Sequence, residues 1–87
     1  SLKLDRPALM ALPPEELIRR LDSDDNGGIL RLEIAVKTLI EESYLYPDEE
    51  QAMLRKAKML LEYIQKYDNT FSLERVNMLN ELGRRIL

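Results

Sequence analysis

Residues 22–33 read DSDDNGGILRLE: three aspartates, an asparagine, two adjacent glycines and a closing glutamate within twelve positions. Carboxylate and amide oxygens gathered this closely suit a hard cation. Four carboxylates in so short a stretch also repel one another unless a positive charge sits among them. The rest of the chain narrows the chemistry by what it lacks. It contains no histidine and no cysteine, which removes imidazole catalysis, thiolate nucleophiles, disulfides, and zinc or iron–sulfur centres built on nitrogen and sulfur. A bound metal must be held by oxygen, and oxygen ligation favours calcium or magnesium. The competing reading is a polar turn between helices, because Asp, Asn and Gly favour turns in any case. Such a turn has no need of Glu33.

The composition sets the frame for such a site. Eighty-seven residues, 45% apolar and 33% charged, describe one small domain rather than a disordered chain. A core of this size is modest, so an ion or a partner can supply a large share of the stability. Thirteen Lys and Arg against 16 Asp and Glu leave a net charge of −3 with no basic block, so no nucleic-acid partner is expected. No apolar run approaches the ~18–20 residues of a membrane span, and no membrane association is expected. Ser1 in place of an initiator Met, with no signal-peptide pattern, predicts a processed form or a piece of a longer protein. The acidic pairs Glu15/Glu16, Glu41/Glu42 and Glu49/Glu50 lie near helix ends without a nucleophile beside them. They read as surface charge, and no enzymatic activity is expected.

The elements that must position the acidic stretch are helices. Asp5 caps a short one with Pro7 in its first turn, and Leu9, Met10 and Leu12 are its apolar contacts. Pro13 and Pro14 lead into a second, where Glu15 and Glu16 suit the positive end and Leu17, Ile18 and Leu21 form a stripe. Beyond the glycines, Leu32, Ala35, Val36, Leu39 and Ile40 repeat at helical spacing. Pro47 breaks that helix and Asp48 is placed to cap the next. Residues 49–67 carry Ala52, Met53, Lys56, Ala57, Leu60, Leu61 and Ile64 along one side. DNTFS (68–72) interrupts, and a last helix runs through Leu73, Val76, Leu79, Leu82 and Ile86. The methionines and tyrosines read as core or core-edge residues, and RKAK (55–58) with Arg84 and Arg85 as solvated faces.

Residues 22–33 match D-x-[DN]-x-[DN]-G-x5-E without a gap, and in this they resemble the calcium loop of the EF-hand family. The resemblance implies side-chain oxygens from positions 1, 3 and 5, a backbone carbonyl from position 7 and a bidentate glutamate at position 12. On this chain those are Asp22, Asp24, Asn26, the Gly28 carbonyl and Glu33, together holding one calcium ion. Gly27 takes the sharp turn at position 6. Ile29 falls where the family places an apolar residue on a short extended segment. Glu33 is expected in the first turn of the following helix, coupling the ion to that helix's direction. Leu30 at position 9 offers no side-chain oxygen, and Asp25 adds charge without coordinating. The family's apolar positions in the exiting helix fall on Ile34, Lys37, Thr38 and Glu41, of which only Ile34 fits. This implies an unusual rotation of that helix or an irregular closure of the loop.

A 42-residue offset exposes a second, altered copy. It aligns Phe71 with Ile29 and DNTFSLERV (68–76) with NGGILRLEI (26–34). Ile64 and Lys66 then occupy positions 1 and 3, Asn69 replaces the glycine and Arg75 stands where the glutamate belongs. That loop is not expected to bind calcium. The implied fold is all-α: a pair of helix–loop–helix units with a minimal two-stranded contact between Ile29 and Phe71, plus a short N-terminal segment. Residues 1–12 form that segment, and the pair spans 13–87, with the first hand at about 13–43 and the degenerate second at about 48–87. The implied function is calcium binding by one competent loop, with a structural or modest regulatory effect on helix arrangement. The alternative is a calcium-independent helical scaffold for protein–protein interaction. In either case an apolar cleft would receive a protein or peptide partner, or the chain's own N-terminal segment.

Overall fold

Asp5 opens the first helix as its position predicts. Its carboxylate accepts from the Ala8 amide at 3.1 Å, and Pro7 sits in the first turn of α1 (Arg6–Ala11). The structure is a computed structural model that describes residues 4–22, 28–68 and 72–87. The chain continues through α2 (Pro14–Leu21), α3 (Gly28–Ser43), a 3-10 turn (Pro47–Glu49), α4 (Glu50–Tyr67) and α5 (Leu73–Arg85). The described residues are all-helical and include no strand. None of these helices is long and apolar enough to cross a membrane.

Helices α3 and α4 form the central pair. Leu32, Ala35, Val36, Leu39 and Ile40 are buried, as their spacing predicts, in one cluster with Met53, Leu54, Ala57, Leu60, Leu61 and Ile64 of α4. Each fully buried leucine contributes roughly 1.5–3 kcal/mol, so this pair carries most of the apolar stabilisation. Leu17 and Leu21 of α2, Met78 and Leu82 of α5, and Leu9 of α1 close the cluster from outside. Ser43, buried at the end of α3, satisfies its hydroxyl by donating to the Ile40 carbonyl at 2.5 Å.

Several details differ from the sequence pattern. Asp48 does not cap α4; it lies in the 3-10 turn, and Glu49 stands at the cap position without a side-chain bond. On α5, Leu73 is exposed while Arg75, Met78 and Leu82 turn inward. Lys56 and Arg85 are not simply solvated. The Lys56 ammonium donates to the carbonyls of Leu9 (2.9 Å), Met10 (3.4 Å) and Leu12 (2.5 Å), gathering the C-terminal end of α1 onto α4. Arg6 completes that attachment by pairing with Glu49 at 2.9 Å and lying 3.9 Å over the Tyr46 ring. Arg85 stacks on Tyr44 at 3.8 Å, and its carbonyl accepts from Gln51 at 3.0 Å.

The expected two-stranded contact has no strand on its first side. Ile29 lies in the first turn of α3, and Phe71 lies outside the described residues. The physical reason is local: Leu30, Arg31, Leu32 and Glu33 are strong helix formers. Starting the helix at Gly28 also pairs backbone groups that a lone extended segment would leave to solvent.

Candidate functional site

Asp22 is the residue on which α2 ends; its amide bonds to the Ile18 carbonyl at 2.8 Å. One carboxylate oxygen, Oδ2, accepts from the Tyr63 hydroxyl on α4. That bond and the partial desolvation of the ring push the Tyr63 hydroxyl up to about 12. The start of α3 folds back onto this same point. Arg31 Nε donates to the Leu21 carbonyl at 3.0 Å, joining the first turn of α3 to the last residue of α2. A Cβ at Gly28 would lie 2.6 Å from Asp22 Oδ1 and 3.0 Å from Asp22 Cα. Any larger residue there would have to push the Asp22 carboxylate aside and shift the backbone by a few tenths of an ångström.

Glu33 lies in the second turn of α3 rather than the first, because the helix begins at Gly28. Its Oε1 accepts from Arg75 Nη2 at 3.2 Å, and the same nitrogen donates to Asp68 Oδ2 at 2.6 Å. The Arg75 side chain is only 5% exposed, against 18% for Glu33 and 25% for Asp68. Burial pulls the Arg75 guanidinium down, but its bonds to Asp68 and Glu33 more than offset that and leave it above its ordinary value. One turn further along, Lys37 and Glu74 pair at 3.0 Å and again join α3 to α5.

Of the five expected ligands, Asp22, Gly28 and Glu33 are described; Asp24 and Asn26 lie outside the described residues, as does Gly27. Asp22 and Gly28 are in contact, which suits a chain that closes around an ion. The Gly28 carbonyl suits it less well. As the first residue of an α-helix, Gly28 directs its oxygen along the axis toward the Leu32 amide. Presenting that oxygen to an ion requires the first turn of α3 to open. Among the described residues no three carboxylates are grouped so as to hold a metal ion.

Two residues at this site were not legible as functional from the sequence. Tyr63 reads as a core-edge aromatic, and Arg75 as the lesion that silences the second loop. The available signal was a charge reversal at equivalent positions: the 42-residue offset places Arg75 on Glu33, and the two are in contact.

A second feature lies between α3 and α5, a groove of about 390 Å³. Ile40 and Met78 supply its apolar floor, and Lys37, Glu41, Tyr44, Glu74 and Glu81 its rim. The Tyr44 hydroxyl donates to Glu81, which raises its pKa. No residue of α1 lines this groove; α1 packs into the core through Leu9 instead. Comparison of the chain with models of known families, with curated protein sequences and with solved structures gave no match.

Proposed function

We propose that residues 22–33 bind one calcium ion, in the manner of an EF-hand loop beside a silent second unit. The observation that carries this reading is the contact of Gly28 with Asp22, close enough that a Cβ there would displace the Asp22 carboxylate. It brings position 7 of the segment against position 1. Asp22, Asp24, Asn26 and Glu33 would hold the ion through side-chain oxygens, and Gly28 through its carbonyl once the first turn of α3 releases it. The ion supplies two positive charges to a stretch that otherwise crowds four carboxylates. The consequence for the fold is a moved helix start, since Glu33 belongs to α3 and Asp22 to the end of α2.

Melting with excess calcium and with chelator tests the reading directly. A one-site binder gains about 2.7 kcal/mol at a hundredfold excess over Kd, and Glu33→Gln should remove that gain. A wild-type chain that melts identically in both conditions would exclude the site.

A second reading has its own observation. Glu33 and Asp22 already have internal partners, Arg75 and Tyr63, so the segment can be satisfied without an ion. On that reading the chain is a calcium-independent helical scaffold, and the groove between α3 and α5 is where a protein or peptide would dock. Indifference to calcium, together with intact folding of Glu33→Gln, is the outcome that favours it.

A further inference from the structure

We propose that Arg75 is a tethered cation that holds Glu33 in the ion-free protein, so that calcium binding at 22–33 is an exchange of one cation for another on Glu33. This rests on the calcium reading of 22–33 and assigns its regulation to the second unit.

The 42-residue offset gives the arrangement its logic. In the second loop, positions 5 and 12 are Asp68 and Arg75, and they are joined at 2.6 Å. In the first loop the same positions are Asn26 and Glu33, both expected to face a free ion. The second loop therefore carries, covalently attached, the positive charge that the first must recruit from solution. The guanidinium is buried, and its Nη2 donates to both carboxylates at once. A guanidinium and a calcium ion on the same carboxylate repel each other, so bidentate ion binding favours a Glu33 that has left the guanidinium. Asp68 makes that departure affordable. A buried charge stripped of every partner is costly, and Arg75 keeps Asp68 when Glu33 goes. Arg75 thus stabilises the ion-free fold and lowers the affinity of the site in the same contact.

Calorimetric titration of the full chain with calcium chloride tests this. Arg75→Gln should bind about tenfold more tightly than wild type, the equivalent of one charge-assisted hydrogen bond released. Lys37→Gln is the control: it removes a positive charge one turn from Glu33 that pairs with Glu74 instead. Its effect should be about twofold or less and vanish in high salt, whereas that of Arg75→Gln persists. If Arg75→Gln does not fold, Arg75→Lys keeps the charge, loses the guanidinium and should bind more tightly than wild type by a smaller factor. Binding that is unchanged or weaker in a folded Arg75 variant overturns the exchange. Should neither wild type nor variant bind calcium at millimolar concentration, the exchange falls with the calcium reading. A metal-free double-mutant cycle of Glu33→Gln and Arg75→Gln then separates the causes. Clear coupling shows that the ion pair stands and the calcium reading failed; none shows that the pair itself was wrong.

Discussion

Two cations from the C-terminal half of the chain are sunk against oxygen acceptors from elsewhere, and they behave as opposites. Lys56 on α4 meets three backbone carbonyls at the end of α1. Arg75 on α5 meets two side-chain carboxylates, Glu33 and Asp68. Burial lowers the Lys56 pKa, while the carboxylates hold that of Arg75 above its ordinary value. The acceptors make the difference. Backbone carbonyls at a helix end are fixed in direction and cannot swing to another cation, so Lys56 is a fixed fastening. Carboxylates can rotate away to another cation, which makes the Arg75 contact exchangeable. One physical device gives a fixed joint or a releasable one according to what sits opposite the charge.

The largest effect that bears on this contrast is expected for Arg75→Met. In chelator it should cost about 2–3 kcal/mol, below the range for a fully buried pair because Glu33 and Asp68 keep some solvent. Calcium should recover part of that loss in a chemical denaturation series. Equal loss with and without calcium would make Arg75 as fixed as Lys56 and erase the distinction. Lys56→Met should cost about 1–2 kcal/mol by leaving the α1 carbonyls short of a donor, and calcium should not alter the figure. A calcium-dependent loss there would mean that the two clamps communicate. Tyr63→Phe removes the donor on Asp22 and should cost about 1 kcal/mol in chelator, with a small gain in calcium affinity read by titration.

The smallest effect is a pH dependence away from both clamps. Hydrogen bonds from Arg19 and Arg20 hold the Glu16 carboxyl down to about 2, below its ordinary 4.5. A folded value below the unfolded one gives a contribution that is present above 4.5 and lost as pH falls toward 2. Urea midpoints measured across that window should fall slightly more for wild type than for Glu16→Gln. An equal fall in both would show that these exposed pairs add nothing to stability.

The helices were legible in the sequence because their apolar spacing is regular. Leu32 through Ile40 repeats cleanly and is buried as a stripe, and Asp5 with Pro7 marks a helix start by local chemistry alone. The rotation of α5 was not legible. Its leucines suggest a face through Leu73, yet a buried arginine defines the inner side because carboxylates on other elements await it. No pattern within one helix reports that. Of the site, the spacing of the acidic residues was plain, but the competing helix propensity of residues 28–33 was not weighed against the extended segment the resemblance implies. Tyr63 and Arg75 stayed hidden for the same reason as the rotation of α5: their roles exist only across 41 and 42 residues of chain.

The attachment of α1 has a consequence for the order of events during synthesis. A helix of six residues cannot hold itself together in water. Its anchors, Glu49 and Lys56, are separated from it by more than forty positions. Of these helices α1 emerges well before its anchors and is therefore among the last to settle, and Leu9 travels uncovered until α4 has emerged and paired with α3.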